Sequence, residues 1–338
     1  MAERIGNSTV RLLSRPSVLA AASAVGKMEH EGPLASSFEI FCNDEFWGET
    51  TFEKAEVAMQ KAALAAAIDG AGVTADAVEA VFAGDLLNQC TATSFAMRDL
   101  GLPLAGLYGA CSTFALSLGL AALAVESGGF HCTMGSASSH FCTAERQYRQ
   151  PLEYGGQRSQ AAQRTATAAG AAVIGCSAQY RPHVDCFAIG RVRDLGIKDA
   201  SNMGAAMAPA AAQTIEYFLR DTGTKPGDYG MILTGDLGST GSELLLEVLR
   251  TEAGLDLSAV HADCGCLLFD AARQDVHSGG SGAGCSAAVV CSHILKRLQN
   301  GELPNVLFVG TGALLSPTTT LQGETVPGIA HAVLLTAG

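Results

Sequence analysis

The sequence Gly-Ala-Cys-Ser-Thr-Phe-Ala-Leu-Ser-Leu-Gly-Leu-Ala-Ala-Leu-Ala-Val at residues 109–125 decides how the rest of the chain is interpreted. It ends a longer stretch, residues 101–125, that contains no formal charge and is long enough to be a transmembrane candidate. Pro103, Gly106 and Gly109 interrupt this stretch, so we predict a strand, a tight turn and then a helix. Because the helix is apolar on every side, we expect it to be buried on every side.

A similar unit occurs in the second half of the chain. Residues 284–286, Gly-Cys-Ser, also open an uncharged helix, and a strand-like segment follows at 306–310. Upstream, the string Gly-Asp-Leu ends a strand-like segment at residues 84–86 and again at 235–237. Helical patterns precede these strands at residues 53–69 and 211–221. Several elements that agree in the same order indicate an internal duplication.

The duplication predicts the fold class. Strands that alternate with helices form parallel sheets with right-handed crossovers, which makes this an α/β chain. The two uncharged helices, Ser112–Val125 and Cys285–Leu295, require burial between layers. We therefore predict a five-layer α-β-α-β-α sandwich of two pseudo-twofold-related halves, at residues 1–181 and 182–338. In this scheme residues 138–169 are a loop inserted into the first half.

Composition excludes several classes of protein. The chain has 21 Lys and Arg against 33 Asp and Glu, a net charge of −12. Nucleic-acid binding through a general basic surface is therefore not expected. Residues 18–25 resemble a signal-peptide core, but the segment is short, rich in Ala and preceded by Pro16. We predict a buried strand there, and neither a signal peptide nor a transmembrane segment. The glycine-rich residues 279–284 lack the ending of a nucleotide-binding loop.

One of the 11 cysteines is a candidate functional residue. The cysteines are scattered, with no CxxC pair and no zinc-like spacing. Most are predicted to be small core residues in a reducing compartment. Cys111 differs because it opens the uncharged helix, where the helix dipole and free N–H groups lower a thiol pKa and attract an anion.

These residues carry a resemblance to known families. The Gly-Ala-Cys-Ser string at residues 109–112 resembles the nucleophile turn of the thiolase and ketosynthase superfamily, and residues 81–87 resemble the strand and loop before it. From about residue 17 to residue 335 the chain more closely resembles the stage V sporulation protein AD family of spore-forming bacteria. The strings that carry this resemblance include Ala83–Gln89, Gly109–Thr113, Ser138–His140, Thr143–Gln147, Glu153–Gln157, Met207–Ala212, Thr234–Leu237, Gly279–Gly282 and Thr311–Pro317.

The resemblance implies a fold, a ligand and partners. The fold is the thiolase fold, in which each half follows the order βαβαβαββ. The implied ligand is dipicolinate (pyridine-2,6-dicarboxylate), often as its calcium chelate, which the protein helps to move into or out of the spore. The implied partners are other SpoVA membrane proteins on the cytoplasmic side or periphery of the spore inner membrane. A homodimer is also implied, without a cofactor beyond calcium that accompanies the ligand.

The same resemblance raises the question of catalysis. A working ketosynthase needs a thiolate and polar groups that hold an oxyanion, and Cys111 meets only the first requirement. Where active relatives have His or Asn, this chain has Asp236 and, further on, Ser281. Losing one oxyanion donor costs about 10²–10³-fold in rate. We predict a non-catalytic protein that binds its ligand in the relic active-site cleft. The alternatives are an acyltransferase that uses Cys111 as nucleophile, with His331 as a partner, and a scaffold with a vestigial pocket.

Other candidate residues each have two interpretations. Asp85 and Asp236 are equivalent in the repeat and are either turn or cap residues, or line the cleft and meet a bound calcium. His140 and His331 are either hydrogen-bonded core residues or ligand contacts. The set of predicted ligand-binding residues is Asp85, Asn88, Cys111, His140, Arg146, Asp236, Ser281 and His331.

The inserted loop contains a basic island in an acidic chain. Four arginines (Arg146, Arg149, Arg158 and Arg164) stand against Glu145 and Glu153 within residues 145–164. The planar guanidinium fork suits a dicarboxylate, so the island could attract the implied ligand. A solvated loop or a dimer contact explains the same composition.

Overall fold

The computed structural model describes residues 2–148, 158–177 and 179–338. Within these residues the strands are β1 (Glu3–Ile5), β2 (Thr9–Arg11), β3 (Ser17–Val25), β4 (Ile40–Phe41), β5 (Ala80–Gly84), β6 (Leu104–Gly106), β7 (Cys132–Ser139), β8 (Arg164–Thr165), β9 (Ala168–Gly175), β10 (His183–Ala188), β11 (Met231–Thr234), β12 (His261–Asp263), β13 (Gly280–Ser281), β14 (Asn305–Ala313) and β15 (Gly328–Thr336). The α-helices are α1 (Lys27–His30), α2 (Phe52–Ala71), α3 (Thr91–Leu100), α4 (Thr113–Glu126), α5 (Phe141–Tyr148), α6 (Met203–Thr222), α7 (Gly238–Glu252), α8 (Cys264–Leu268), α9 (Ala283–Val289), α10 (Leu295–Gln299) and α11 (Pro317–Leu321). Short 3₁₀ turns occur at Ala35–Ser37, Ala75–Ala77, Asn88–Cys90 and Pro226–Asp228, and a π-helical turn, Val290–Ile294, joins α9 to α10.

Two halves repeat the same order of elements. The first runs β3, α2, β5, α3, β6, α4, β7 and β9, and the second runs β10, α6, β11, α7, β12, α9, β14 and β15. Each half therefore follows the predicted order βαβαβαββ. The signal-like segment forms the buried strand β3, as predicted, and the uncharged stretch forms β6 and α4. No helix in the described part of the chain is both long and apolar enough to cross a membrane.

The strands of each half pair in the same spatial order. The first half gives β6-β5-β7-β9-β3 and the second gives β12-β11-β14-β15-β10. Strands β3 and β10 join the two groups in the middle of the molecule, where Ser17 pairs with His183. The prediction of parallel sheets was wrong for one strand in each half, since β9 and β15 lie antiparallel to both of their neighbours. In the second half, the connection between β14 and β15 contains only the short helix α11 and returns the chain beside itself, which gives an antiparallel pair.

Helices lie between and outside these strand groups. Helix α4 contacts β5 and β7 of its own half and β14 and β15 of the other, so it lies in the central layer. Helix α9 contacts β7 and β9, and all seven of its residues are buried. Helix α2 contacts β3 and β9. Helix α6 contacts β14 and β15. These layers agree with the predicted five-layer arrangement.

Sequence signals at the helix ends explain the outer helices. The Thr51 hydroxyl accepts a hydrogen bond from Lys54 N at the start of α2, and Gly72 ends the helix in the left-handed region at φ 68°. In the second half the Asn202 side chain accepts from Ala205 N, and Gly223 ends α6 at φ 69°. The prediction placed this second helix at residues 211–221, whereas it begins at Met203 and contains Pro209. Proline is unusual inside a helix, and the cap, Asn202, lies seven residues before Pro209. The predicted start was therefore too late.

Candidate functional site

The turn before α4 places Cys111 at the centre of the molecule. Ala110 adopts a left-handed conformation at φ 50°, which is unusual for a residue with a Cβ atom. The turn is fixed by hydrogen bonds, since the Ser112 hydroxyl donates to Gly109 O at 2.6 Å and Gly109 N donates to Thr113 Oγ1 at 3.1 Å. Cys111 itself is 5% exposed. The strained turn therefore aims the thiol at the second half of the chain.

Ser281 and Asp236 face this thiol. The Cys111 Sγ atom lies 3.8 Å from Ser281 Oγ, and Ser281 Oγ donates to the Asp236 carboxylate at 3.0 Å. The same carboxylate accepts from Gly282 N at 2.9 Å and from Thr311 Oγ1 at 2.8 Å. Strand β13 supplies Ser281, and the bend that follows β11 supplies Asp236. The structure thus brings together three of the predicted site residues, Cys111, Asp236 and Ser281.

The electrostatics of this trio oppose formation of a thiolate. Burial raises the pKa of the Cys111 thiol well above its usual value, and the nearby Asp236 carboxylate raises it further. Burial also raises the pKa of Asp236, to about 7, although three hydrogen bonds favour its ionised form. The Cys111 side chain therefore remains a neutral thiol at neutral pH, unlike an activated nucleophile, whose pKa is lowered.

Asp85 occupies the equivalent position in the first half but has a different role. Its carboxylate accepts from Leu87 N and Thr93 N, both at 2.8 Å, and so holds the loop that leads into α3. Burial raises its pKa. Asn88 follows in the same loop, where its backbone N–H donates to Gln147 Oε1 and its Oδ1 accepts from Gln147 Nε2.

The two candidate histidines lie in different surroundings. The Nε2 atom of His140 lies 2.9 Å from Glu45 O, its Nδ1 accepts from Cys142 N, and its ring packs on Phe52. His331 lies beside Gly109, and Gly109 is two residues before Cys111 in the chain. The Nδ1 atom of His331 accepts a hydrogen bond from Gly190 N at 3.2 Å. Burial lowers the pKa of His331 to about 4, so the imidazole is neutral.

The described arginines of the basic island bind other parts of the protein. Arg146 forms an ion pair with Glu53, and Arg158 forms one with Asp275 at 2.7 Å. Arg164 stacks over the Phe141 ring at 3.7 Å. Arg149 and Glu153 lie outside the described residues, as does the string at residues 153–157. The structure does not bring the described arginines of the island together with Cys111.

Two adjoining cavities lead from the surface to Cys111. The inner cavity has a volume of about 30 Å³ and is lined by Cys111, Ser281, Thr165, Tyr108, Tyr148 and apolar side chains. The outer cavity, about 320 Å³, is lined by residues of the 87–90 loop and of residues 314–317, and shares Tyr108, Tyr148 and Leu315 with the inner one. Sequence reasoning missed both tyrosines. The position of Tyr108 in the loop before the nucleophile turn was an available signal.

No cluster of three or more His, Cys, Asp or Glu side chains that could hold a metal ion occurs among residues 2–148, 158–177 and 179–338. Oxygen ligands for a cation that arrives with a ligand are available in the outer cavity, where Asn88, Gln89 and Ser316 contribute to the lining.

Two βαβαβαββ halves, with a cysteine at the start of a central helix, define a protein of the thiolase-like class. Solved structures agree with this assignment of the fold. A 3-oxoacyl-[acyl-carrier-protein] synthase III from Aquifex aeolicus superposes with a TM-score of 0.57 at 12% identity, over 95% of this chain and 99% of that one. A variant of OleA from Xanthomonas campestris gives a TM-score of 0.60 at 12% identity, over 99% and 100% of the two chains.

Sequence comparison identifies a narrower group within that class. The family model for stage V sporulation protein AD matches residues 6–336. Stage V sporulation protein AD of Bacillus subtilis (strain 168) is 41% identical over 322 residues, which cover 94% of this chain and 93% of that protein. The chain belongs to the stage V sporulation protein AD family. It is a sporulation protein with a thiolase-like fold.

Proposed function

We propose that this protein binds dipicolinate, as its calcium chelate, in the cleft that ends at Cys111, and that it does so without chemical turnover. Membership of the sporulation family supports the ligand, because the sequence resemblance implies it. The observation that carries the absence of turnover is the contact between Cys111, Ser281 and Asp236. The cleft is then a binding site that retains the shape of an enzyme's active site.

The hydrogen bonds around Asp236 explain why acyl transfer is disfavoured. An oxyanion needs donors aimed at the developing negative charge. Here Ser281 Oγ, Gly282 N and Thr311 Oγ1 already donate to the Asp236 carboxylate. A second negative charge beside that carboxylate would be repelled, and the neutral Cys111 thiol is a poor nucleophile. Acyl transfer requires a Cys111 thiolate and donors that hold an oxyanion. Asp236 opposes both.

The lining of the cleft favours the chelate over free dipicolinate. None of the described residues that line either cavity carries a charged side chain. Burying an unpaired carboxylate costs several kcal/mol, and free dipicolinate carries two at neutral pH. A one-to-one complex with Ca²⁺ has no net charge, so it avoids most of this penalty. Amide and hydroxyl groups are sufficient to orient such a ligand.

The proposal also includes a place of action. We expect the protein to act as a homodimer with SpoVA membrane proteins, on the cytoplasmic side or periphery of the spore inner membrane. These expectations follow from the family resemblance. Cross-linking in sporulating cells, followed by identification of the linked peptides, tests them directly.

Calorimetric titration of the purified full chain tests the ligand. The three arms are equimolar calcium and dipicolinate, dipicolinate with a calcium chelator, and calcium alone. We expect saturable binding in the first arm and at least about tenfold weaker binding in the second, because the uncharged lining does not compensate two carboxylates. Pyridine-3,5-dicarboxylate, whose carboxylates cannot chelate together with the ring nitrogen, is the matched control ligand. Absence of saturable heat in the first arm would refute the proposal.

Mass spectrometry tests the absence of turnover. The protein is incubated with a panel of acyl-CoA thioesters, and the peptide that contains Cys111 is examined for an acyl adduct. We expect no adduct, with an active ketosynthase as the positive control. An adduct that disappears in Cys111→Ala would establish the acyltransferase alternative.

A further inference from the structure

Strand β3 has one edge that is covered and one that is largely free. The first edge pairs with β9 from Ser17 to Val25. The second edge meets β10 at Ser17 and the short strand β4 at Ala24 and Val25. Between these points no strand of the described chain pairs with it, and residues 19–22 are partly exposed while the rest of β3 is buried. The molecule therefore contains an unpaired strand edge beside the junction of its two halves.

The equivalent strand of the second half, β10, has the same edge filled. Each strand has a bulge at its third residue, which is Leu19 in β3 and Asp185 in β10. After the bulge of β10, residues 186–188 pair with β2. The equivalent residues of β3, 20–22, have no strand on that side among the described residues. Bulges often protect a sheet edge from pairing, but the bulge of β10 does not prevent the addition of β2.

The backbone of β3 is oriented to accept another strand at this edge. Cys42 N donates to Val25 O on the side of β4, and alternate residues of a strand direct their N–H and C=O groups to the same edge. The N–H and C=O groups of Ala21 therefore point to the free edge, away from β9. In the second half the corresponding edge is bonded, since Leu12 N donates to Asp185 O at 2.8 Å.

A cavity of about 340 Å³ lies along the free edge. It is lined by residues 18–21 of β3, by the start and end of α10, and by Arg181 just before β10. None of the described lining residues is acidic, although the chain has 33 Asp and Glu. Lys296 in the lining is paired with Glu39 at 2.8 Å, whereas Arg181 forms no ion pair with any described residue. The cavity therefore favours an occupant that carries negative charge.

We propose that an extended, acidic segment of a partner protein pairs with the free edge of β3 and adds a strand between β10 and β4. Main-chain hydrogen bonds supply the affinity of such an added strand, and its alternate side chains supply the specificity. Arg181 pairs with a carboxylate of the segment. The second half shows the same arrangement with the charges reversed, because the chain that continues from β2 places Arg15 2.9 Å from Asp185 of β10. This docking site is separate from the cleft at Cys111 and does not depend on its ligand.

Hydrogen exchange of the full chain, followed by mass spectrometry, tests this docking site. The probe is the peptide Glu-Thr-Val-Thr-Val-Thr-Glu, and Lys-Thr-Val-Thr-Val-Thr-Lys is the matched control, with the same preference for a strand and the opposite charge. At about 1 mM we expect the acidic peptide to slow the exchange of residues 18–23, because their free amides become hydrogen-bonded. Residues 184–188 are the internal reference and should not change, because β2 already covers their edge.

Two variants test the contacts, with the affinity of the labelled acidic peptide measured by fluorescence anisotropy. Arg181→Glu is expected to weaken binding at least about fivefold, whereas Lys198→Glu, at an exposed position outside the cavity, changes the net charge equally and should stay within about twofold. Ala21→Pro removes the N–H group at the free edge without removing a bond to β9, and a similar fivefold loss is expected. Circular dichroism shows whether Ala21→Pro is folded. If it is not, the acidic peptide with its three central N–H groups methylated takes its place, with the same loss expected.

Several results would overturn the proposal. One is unchanged exchange at residues 18–23, or an equal change with the lysine peptide. Another is protection at β6 or β12, the strands at the two ends of the sheet, which would place strand addition elsewhere. Protection of residues 18–23 that rises with protein concentration in the absence of peptide would identify a second copy of this chain as the occupant. Equal affinity of Arg181→Glu and the unmodified protein would remove the reason for an acidic segment.

Discussion

Asp85 and Asp236 stand at equivalent positions in the two halves, Asp85 directly after β5 and Asp236 two residues after β11, yet their carboxylates stabilise different parts of the structure. The Asp85 carboxylate accepts backbone N–H groups of its own following loop, from Leu87 and Thr93. The Asp236 carboxylate accepts from Ser281, Gly282 and Thr311, which are distant in sequence, and it faces Cys111. One aspartate closes a local turn and the other builds the wall of the cleft.

The duplication determines where each aspartate lies, whereas the segments packed around it determine its chemical role. Both aspartates are fully buried and burial raises the pKa of each. Asp236 faces the Cys111 thiol, because the nucleophile turn of the first half points into the second half. Asp85 lies instead near the Cys90 thiol, whose pKa burial and the Asp85 charge raise. Substitutions around the two aspartates should therefore have different effects in the two halves.

Making the second central helix resemble the first should disrupt the core. Residue 284 is glycine where the first half has Ala110, and a Cβ atom built there would lie 2.0 Å from Ala168 O. A backbone carbonyl within a strand cannot move aside, so Gly284→Ala is expected to lower the free energy of unfolding by about 3 kcal/mol or to prevent folding. Chemical denaturation measures the loss. Gly227→Ala is the control, since nothing lies within 4 Å of its Cβ position, and equal stability of the two variants would contradict the prediction.

The Asp236 carboxyl should make stability depend on pH. Its pKa in the folded protein is about 7, above the usual 3.8, so the folded state holds this proton more tightly than the unfolded chain does. The stabilisation is complete below pH about 4 and is lost as pH rises through 7, at up to about 1.4 kcal/mol per pH unit. Asp236→Asn has no such proton to lose.

Denaturation of the two proteins at several pH values checks this expectation. The stability of Asp236→Asn relative to the unmodified protein should increase from pH 5 to pH 7. Comparing each variant with the parent at the same pH cancels His261 and His331, whose pKa values burial lowers to about 4 and whose contribution has the opposite sign. Asp256→Asn, at an exposed position, is the control. Parallel profiles for Asp236→Asn and the parent would show that the carboxyl titrates normally.

Removing the negative charge beside Cys111 should increase its reactivity. In Asp236→Asn the pKa of the thiol falls, because its second cause of elevation is gone, although burial still raises it. A decrease of one unit gives about tenfold more thiolate and a correspondingly faster alkylation at pH 8. Mass spectrometry of the Cys111 peptide after timed treatment with iodoacetamide measures the rate. Asp85→Asn should change it less than about twofold, and equal acceleration by both variants would erase the distinction between the two aspartates.

Removing the hydrogen bond between the Tyr108 and Tyr148 hydroxyls should have the smallest effect on the reactivity of Cys111. Tyr148→Phe keeps the ring but removes the hydroxyl that bonds to Leu86 and to Tyr108. Access to the inner cavity then requires only ring motion, and we expect alkylation of Cys111 to be about threefold faster, the equivalent of one weak hydrogen bond. The labelling assay is the same as above. A rate equal to that of the unmodified protein would show that the hydroxyl pair does not limit access.

Much of the fold was predictable because it depends on patterns within each segment. The repeated Gly-Asp-Leu strings marked the strand ends of both halves, and the absence of charge from residue 101 to residue 125 marked a central helix. The antiparallel placement of β9 and β15 was not predicted, because it depends on how the chain returns after β7 and β14. No residue pattern within the strands themselves indicates the direction in which the chain returns.

The site was predictable only in its centre. Cys111, Asp236 and Ser281 follow strands or turns whose positions the repeat gives, and the structure brings them together. His140 and Arg146 were selected from strings shared with the family, and here they contact Glu45 and Glu53. Glu45 lies in the long connection before α2 and Glu53 in the first turn of α2, and the course of that connection cannot be derived from periodicity. The Tyr108 and Tyr148 contact, made between a loop and the end of α5, was missed for the same reason. The ligand roles of all eight predicted residues remain predictions.

The pairing of the first strand of each half with its last has a consequence for synthesis on the ribosome. Ser17 of β3 pairs with Gly175 of β9, and His183 of β10 pairs with Thr336 of β15, so the partners are 158 and 153 residues apart. The sheet of the first half therefore cannot be completed until most of that half has emerged. Until then the β7 edge of the β6-β5-β7 sheet is unpaired, and α4 lacks its contacts with β14 and β15 of the second half, which exposes the nascent chain to aggregation. Folding of this protein should accordingly be slow and sensitive to the supply of chaperones.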